Sequence, residues 1–345
     1  MPCSLCELPD ADPADGFLFL WPPQAHTLHK LASRLAEQGT AFDNLARDNC
    51  LRIATCDAPG LLRAVSAALT DMERADTRVL LTPRRGPDLS DYGRVSTFDR
   101  AVEIADGAWV MTLLREGRYR SVAQPIVSAR PDAGVRGHEF LLRAHGVDGE
   151  AIMPDRLFRA ARDPQTFFNL DRAARLCAVE ASIRIAGDLD IFINFMPGSV
   201  YDPGVCLRTT VDRIVALGID PARVVFEVVE SDSIRDLAHL ASIVDFYREA
   251  GFRIALDDFG TGSNNLAALM ALKPNLIKLD KCLMPDNTGD RRRMGLVCAV
   301  VRDCHENGID VLAEGVETEE QARLMREAGI DLMQGYHFGA PRELE

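Results

Sequence analysis

Side chains that could bind a metal ion stand at the ends of several short apolar segments of this 345-residue chain. Five of them follow an apolar run and the sixth opens one: Asn194, Glu227, Asp257, Asp258, Glu314 and, before Phe140, Glu139. Short apolar runs bounded by turn residues are typical of buried strands. Carboxylates at the ends of buried strands are costly unless they share a metal ion or another partner. The pattern therefore predicts one metal-binding site formed by the ends of several strands.

Eight strand-like segments lie beyond about residue 115, and helix-like segments separate most of them. They are Val122–Val127, Glu139–Leu142, Asp190–Phe195, Val224–Val228, Arg253–Asp257, Leu276–Leu279, Asp310–Ala313 and Leu332–Tyr336. Strands that alternate with helices indicate a parallel sheet. Eight such units fit an α/β fold of the closed (β/α)8 TIM-like barrel type, whose active site lies at the C-terminal ends of the strands. An open doubly wound sheet is the alternative, but no Gly-rich phosphate turn follows any strand.

The first part of the chain reads as a separate, small α/β module. We expect the module to span residues 1–83, a linker to span 84–96, and the barrel to span 97–345. Within the module, strands are predicted at Phe17–Trp21, Leu51–Thr55 and Thr77–Leu81, and helices at His26–Gln38 and Gly60–Arg74. A further helix is predicted from Thr97 toward Leu114. Cys3 and Cys6 could bind zinc or form a redox pair, but two ligands are not a site.

The bulk composition narrows the class of protein. A formal net charge of −13 argues against polymeric DNA or RNA as a partner, because such binders are normally basic. No stretch approaches 18 apolar residues, and the polar, acidic start does not resemble a signal peptide, so we expect no membrane span. The nine cysteines are odd in number and scattered, which favours reduced thiols in a cytoplasmic protein.

Many short motifs, in order, resemble the EAL family of cyclic di-GMP phosphodiesterases across about residues 98 to 342. The signature Glu-x-Leu-x-Arg occurs at 139–143, preceded by QPI at 124–126. INFMP, FEVVES, DDFGTG, IKLD, AEGVET and QGY follow in the same order. The segments INFMPGSVYDP and FEVVES resemble those of the subgroup found in some blue-light-regulated phosphodiesterases, although no flavin-binding light sensor is evident in this sequence. The resemblance implies metal-dependent hydrolysis of cyclic di-GMP to linear pGpG.

Oxygen ligands of this kind suit two Mg²⁺ or Mn²⁺ ions. Two ions about 3.5–4 Å apart can neutralise a phosphate and activate a water molecule. We expect Glu139, Asn194, Glu227 and Asp257 to hold one ion, and Asp257 to bridge to a second ion that Asp258 completes. Adjacent aspartates would repel each other without nearby cations, which argues against a purely structural role. Ca²⁺ is expected to inhibit, because its longer bonds would misplace the water.

The resemblance also implies roles for the other site residues. Lys278 would lie beside the attacking water and stabilise developing negative charge, and Glu314 would accept a proton or hold a water. The expected substrate-binding residues are Gln124, Leu142, Arg143 and Gln334, with Arg143 gripping a phosphate oxygen as a planar fork. Glu230 and Glu317 would support the loop that follows the Asp-Asp strand.

Two departures from the family pattern are present. Phe140 replaces the usual alanine, but strand alternation should turn its side chain away from the ligands. Gly262-Ser263-Asn264-Asn265-Leu266 replaces the usual sequence of a loop that, in the family, couples a dimer interface to metal binding. By resemblance we expect a homodimer near this loop. The alternative function is a receptor that binds cyclic di-GMP without cutting it, but such relatives usually lack several of the ligands present here.

Overall fold

A computed structural model describes residues 16–131, 133–185, 187–228, 237–261, 265–285 and 290–344. The chain forms two compact units. One contains the segment up to Gly117 together with Asp155–Leu170, and the other contains Arg118–Pro154 and the chain from Asp171 onward. Cys3, Cys6, Glu230, Ser263 and Asn264 lie outside the described residues.

The first unit is an antiparallel sheet with strand order β2-β3-β1-β4-β5. Its elements are β1 Gly16–Trp21, α1 Ala25–Glu37, β2 Asp43–Leu45, β3 Cys50–Thr55, α2 Ala58–Ser66, α3 Asp71–Asp76, β4 Arg78–Thr82, β5 Ser96–Thr97 and α4 Phe98–Arg115. The first four strands belong to two β-α-β units whose strands alternate in the sheet, which is the ferredoxin-like arrangement. One sheet face and its helices share an apolar core that includes Leu18, Leu31 and Phe98.

One expectation for this region was wrong in detail. The predicted helix Gly60–Arg74 is two helices, because the Thr70 side chain and Glu73 form a capping box that starts α3. The start of the barrel at residue 97 stays a prediction, while the division into compact units places α4 in the first unit. Phe98, Ala101 and Ala105 of α4 are buried in the core of that unit, so the helix supplies one of its walls.

The second unit contains the predicted eight-stranded barrel, which is confirmed. Its strands are β6 Tyr119–Ser128, β7 Val135–His145, β8 Ala151–Ile152, β9 Asp190–Phe195, β10 Val224–Val228, β11 Arg253–Phe259, β12 Leu276–Leu279, β13 Asp310–Ala313 and β14 Leu332–Gln334, with β8 appended to β7. Beyond β8 the chain forms α5 Pro154–Ala160 and α6 Pro164–Ser182, whose residues Asp155–Leu170 belong to the first unit. The helices that follow in the second unit are α7 Pro203–Cys206, α8 Arg208–Ala216, α9 Leu237–Glu249, α10 Asn265–Leu272, α11 Arg291–Glu306 and α12 Glu319–Ala328. None of the helices in the described ranges is long and apolar enough to cross a membrane.

The barrel is not wholly parallel, contrary to the sequence-based expectation. Strand β6 pairs antiparallel with β7 on one side and with β14 on the other, and these pairings close the barrel. The other neighbours from β7 through β9 to β14 are parallel. Only residues 129–134 join β6 to β7, and so short a connection cannot hold the crossover that parallel strands require.

The interior of the barrel is filled by a layer of apolar side chains, one from each of seven strands. They are Ile126, Phe192, Val225, Ala255, Leu276, Leu312 and Leu332. On β7 the corresponding residue is Gly137, where an added Cβ would lie 2.7 Å from the Asp190 carbonyl oxygen and 3.0 Å from the Phe192 ring. The phenyl ring therefore occupies the space that a β7 side chain would need. This packed layer closes the barrel beneath its C-terminal end.

Candidate active site

The polar site is the next layer of inward-facing side chains above the apolar layer. Side chains on a strand return to the same face every second residue, so the residue two positions beyond each residue of the apolar layer also points into the barrel. Those residues are Glu139, Asn194, Glu227, Asp257, Lys278, Glu314 and Gln334, with Gln124 two positions before Ile126 on the reversed strand β6. The barrel thus brings together eight predicted site residues that are up to 210 positions apart in the chain.

Lys278 lies at the centre of this layer, with its side chain only 1% exposed. Its Nζ atom is 2.7 Å from Glu314 Oε1, 2.8 Å from Glu227 Oε1 and 3.1 Å from Asp257 Oδ1. Glu139 Oε1 lies at 3.7 Å. A buried ammonium group requires such compensation, because burial alone disfavours its charge.

Amide side chains also donate hydrogen bonds to Glu139. Asn194 Nδ2 donates to Glu139 Oε1 at 2.7 Å, and Gln334 Nε2 donates to Glu139 Oε2 at 2.6 Å. Gln334 Nε2 also lies 3.1 Å from Gln124 Oε1, while Gln124 Nε2 donates to the Gly339 carbonyl. The two oxygens of Glu139 are therefore oriented by groups from two different strands.

Asp257 and Asp258 reach the site together because of a β-bulge. Between Leu256 and Phe259, β11 advances three residues while β12 advances two, from Ile277 to Leu279. Such an extra residue redirects the side chains beside it. Asp258 adopts a left-handed backbone conformation with φ 52°, which aspartate tolerates better than most residues. Ligand atoms of Asp257, Asp258 and Glu314 consequently lie within 4.8 Å of one another.

Burial, together with the excess of negative charge, shifts the pKa values of several site residues. Burial raises the pKa of Glu227 well above its usual value despite the attraction of Lys278, and neighbouring Glu139 and Asp257 add to the rise. Burial likewise raises the pKa of Glu314 to about 8 against the opposing charge of Lys278. Burial would lower the pKa of Lys278, but Asp257 and the other carboxylates raise it well above its usual value.

The donor set fits divalent cations. Five carboxylates share the site with one lysine, and Glu227 Oε2 is buried without accepting a hydrogen bond from the part of the chain that the structure describes. A buried acceptor without a donor is costly, and carboxylate and amide oxygens are the ligands that Mg²⁺ and Mn²⁺ prefer. The predicted acidic, metal-type site is therefore present as a structural feature.

The remaining predicted residues lie at the margin of the site or away from it. Arg143 is partly buried, and its Nη1 donates to the Leu142 carbonyl at 2.7 Å. Burial lowers the pKa of Arg143, and nearby Glu139 opposes that effect. Glu317 is exposed, and its backbone N–H donates to Gln321 at the start of α12. Phe140 is 3% exposed, and it alternates with the inward-facing Glu139 as predicted.

Two glycines have steric roles that the sequence analysis did not assign. Gly137 makes room for Phe192 as described above. At Gly335 an added Cβ would lie 2.0 Å from the Val316 carbonyl oxygen, so the loops after β13 and β14 are in backbone contact. Val316 N–H donates to the Gln334 carbonyl at 3.0 Å across this contact. A glycine inside a predicted strand is a general signal of close backbone approach, and this signal was present at Gly335, which lies within the predicted strand Leu332–Tyr336.

The fold and the site together define an α/β barrel protein with a buried acidic site at the C-terminal ends of its strands. Residues 108–341 match the model of the EAL domain family. That match covers more than half of the chain, and the chain therefore belongs to the EAL domain family.

Two curated relatives illustrate the similarity. The chain is 27% identical over 238 residues to "Cyclic di-GMP phosphodiesterase PdeF" of Escherichia coli, covering 67% of the chain and 31% of the relative. It is 32% identical over 274 residues to "Signaling protein YkoW" of Bacillus subtilis, covering 78% of the chain and 34% of the relative. The chain thus spans about a third of the length of these relatives.

Among solved structures, a standalone EAL protein from Vibrio cholerae O395 in its c-di-GMP-bound form superposes with a TM-score of 0.59 at 28% identity. The similarity covers 65% of this chain and 92% of that one. The Pseudomonas aeruginosa FimX EAL domain bound to c-di-GMP has a TM-score of 0.61 at 22% identity, covering 68% and 96% of the two chains, which supports the fold.

Proposed function

We propose that the barrel hydrolyses cyclic di-GMP to linear pGpG with the aid of two Mg²⁺ or Mn²⁺ ions. The observation that carries this proposal is the buried cluster in which Lys278 contacts four carboxylates beside the Asp257–Asp258 bulge. The names of several relatives, among them PdeF and the phosphodiesterase NbdA of Pseudomonas aeruginosa, support the reaction type. The c-di-GMP bound to the Vibrio cholerae protein supports the substrate.

Four of the five proposed ligands belong to the polar layer described above, and the fifth, Asp258, reaches it through the β-bulge. Glu139, Asn194, Glu227 and Asp257 would hold one ion, and Asp257 and Asp258 would hold the second. When bound, two such ions would neutralise the phosphate charge and lower the pKa of a coordinated water. Asn194 and Gln334 already orient the oxygens of Glu139, so this ligand is positioned before any ion arrives.

The other polar residues act on the water and on the substrate. Lys278 orients the attacking water and stabilises negative charge that develops on the phosphate. Glu314, 2.7 Å from that lysine, would hold a water molecule or, once bound cations lower its raised pKa, accept a proton from the water. Arg143 and Leu142 lie on the strand of Glu139, where the guanidinium would grip a phosphate oxygen. Gln124 and Gln334 would contact the nucleotide from the neighbouring strands.

A receptor that binds cyclic di-GMP without cutting it is the alternative. That function requires no complete ligand set, and losses among the ligands would be tolerated. Here all five proposed metal ligands and Lys278 are present, and Glu227 Oε2 is buried among the described residues without a donor. A buried carboxylate oxygen with no hydrogen-bond donor would be a cost without a benefit in a protein that never binds a cation. The set therefore favours the phosphodiesterase.

The decisive experiment is incubation of the purified protein with cyclic di-GMP and Mg²⁺ or Mn²⁺, followed by chromatography of the products. We expect pGpG to form with either ion, and EDTA or Ca²⁺ to stop the reaction. Glu227→Gln should abolish activity and weaken metal binding. Asp190→Asn is the matched control. This carboxylate lies at the start of the neighbouring strand β9, away from the end that carries Asn194, and it pairs with Arg253. Tight nucleotide binding without product would assign the protein to the receptor class.

The assembly proposed for the barrel is a homodimer near the loop after Asp258. Leu266 and Met270, one turn apart at the start of α10, are 66% and 71% exposed and are the apolar side chains that such a contact would cover. Glu230 and Glu317 are proposed to support that loop. Light scattering that finds only monomer at high protein concentration would refute the dimer.

Three finer assignments also remain proposals. The INFMPGSVYDP and FEVVES segments suggest the subgroup of blue-light-regulated phosphodiesterases. The first unit carries none of the proposed ligands among its described residues, and we propose a regulatory role for it. The absence of a spanning helix in the described ranges is consistent with the cytoplasmic location proposed for the protein.

A further inference from the structure

A fully buried ion pair lies within helix α6, outside the polar layer of the barrel. Asp171 is 1% exposed and Arg175, one helical turn later, is 0% exposed. Arg175 Nε donates to Asp171 Oδ2 at 3.0 Å, and Nη2 lies 2.9 Å from the same oxygen. Removing two charges from water is expensive, and apolar replacements of such pairs are often neutral or stabilising. The pair therefore calls for an explanation other than stability.

Asp171 binds the turn that follows strand β9. Its Oδ1 accepts the backbone N–H of Met196 at 3.0 Å, and its Oδ2 accepts the Ser199 hydroxyl at 3.0 Å. Met196 lies two residues beyond Asn194, the proposed metal ligand that closes this strand. The carboxylate therefore fixes the backbone at which β9 leaves the barrel.

Arg175 extends the same network toward strand β10. Its Nη1 donates to the Thr210 hydroxyl of α8. Burial raises the pKa of Tyr247, and the nearby charge of Arg175 opposes that rise. The Tyr247 ring stacks on Phe226 with centroids 3.9 Å apart and an interplanar angle of 17°. Phe226 immediately precedes Glu227, so its outward-facing ring and the inward-facing carboxylate share one stretch of backbone.

Tyr247 also joins the two strands to each other. It meets Phe195 edge-on at 5.5 Å, and Phe195 immediately follows Asn194. Strands β9 and β10 are in register here, with Glu227 beside Asn194 and Phe226 beside Ile193. Tyr247 consequently flanks both neighbouring ligands on their outer side through these two aromatic contacts, and the charge of Arg175 lies near it.

We infer that the Asp171–Arg175 pair positions Asn194 and Glu227 for metal binding by fixing the ends of strands β9 and β10 from outside the barrel. The inference rests on the metal site in the proposed function. Neither residue touches metal or substrate, and both act through the backbone and aromatic contacts described above. Partners that orient metal ligands typically change metal affinity by about 10–100-fold when they are mutated.

The test compares Mn²⁺ binding to the full-length, nucleotide-free protein by isothermal titration calorimetry. Asp171→Asn removes the charge but keeps an oxygen that can accept the Met196 N–H. We expect it to weaken Mn²⁺ binding about 10–100-fold. We also expect a lower kcat at saturating Mn²⁺ and little change in KM for cyclic di-GMP. Ser199→Ala removes a single hydrogen bond to Asp171 and serves as the milder variant if Asp171→Asn does not fold.

The matched control is Val179→Ala on the same helix. Val179 is 0% exposed, so its truncation destabilises the protein without removing a hydrogen bond to Met196 or Ser199. A purely structural role for the ion pair would lower the melting temperature in all variants and leave Mn²⁺ affinity unchanged, which would overturn the inference. Selective loss of Mn²⁺ affinity in Asp171→Asn or Ser199→Ala would support it. Failure of the wild-type protein to bind Mn²⁺ would refute the metal site itself, and this inference with it.

Discussion

Replacing Lys278 with methionine removes the ammonium group at the centre of the site while keeping a side chain of similar length. Three carboxylate oxygens lie between 2.7 and 3.1 Å from Nζ, and a fourth lies at 3.7 Å. Removal of one donor that stabilises developing charge typically costs about 10²–10³-fold in kcat, or about 3–4 kcal/mol. We expect Lys278→Met to lose at least this factor in turnover and to keep its affinity for cyclic di-GMP, because the lysine is proposed to act on the water.

The same substitution should also lower the stability of the protein, because it disturbs the charge balance of the site. Removing one partner of a buried ion pair typically costs about 3–5 kcal/mol. For a unit of this size that corresponds to roughly 6–20 °C in melting temperature. Without metal, Lys278→Met leaves four contacting carboxylates uncompensated. Added Mn²⁺ should reverse most of the loss, since a cation can take over the neutralisation.

Both effects are measured on the same samples. Product formation is followed by chromatography under single-turnover conditions, nucleotide affinity by calorimetry in Ca²⁺, and melting by circular dichroism with and without Mn²⁺. Lys273→Met is the control, because this exposed lysine precedes the same strand β12. Wild-type turnover in Lys278→Met would refute the proposed role of the lysine. Melting that does not respond to Mn²⁺ would refute the charge argument.

Two further substitutions test contacts elsewhere. Gly335→Ala should cost about 1–3 kcal/mol or more and lower activity, because its Cβ would lie 2.0 Å from the Val316 carbonyl oxygen; Gly295→Ala, with nothing within 4 Å, should be neutral or stabilising in chemical denaturation. Glu73→Gln should lower the melting temperature at pH 7, because hydrogen bonds from Lys30 and the capped backbone lower the pKa of Glu73 from 4.5 to about 2. A lowered folded-state pKa contributes stability above about pH 4.5 that is lost as the pH falls toward 2, so the two melting curves should converge there; a gap that persists at pH 2 would contradict this account.

The barrel and its inner layer could be predicted because their sequence signals are local and unusual. Strands such as Asp190–Phe195 and Leu276–Leu279 begin and end at the predicted residues. A charged residue inside an apolar run, such as Lys278, departs from the pattern of a buried strand and therefore attracts attention. Strand alternation then places Glu139 inward and Phe140 away from it, without any tertiary information.

The direction of a strand and its irregularities were harder to predict from the sequence. The antiparallel placement of β6 could have been predicted from the short gap between the predicted strands Val122–Val127 and Glu139–Leu142, because the crossover of a dozen or more residues that parallel strands need does not fit there. The β-bulge at Asp257 and Asp258 leaves no such trace. In a regular strand these neighbours would point to opposite faces, and only the unequal advance of β11 and β12 brings both to the site. The sequence could indicate that both aspartates matter, but it could not indicate how they meet.

The layer behind the ligands was invisible in the sequence for a different reason. Asp171 and Arg175 have the i, i+4 spacing of an ordinary surface ion pair on a helix, and α6 carries exposed charges as well, such as Glu180. Their burial depends on the turn after β9 and on Tyr247 of α9, which the chain supplies 25 to 76 residues later. A site residue is conspicuous because its polarity conflicts with its own strand. A positioning residue agrees with its own helix, and its function arises from partners that only the fold brings to it.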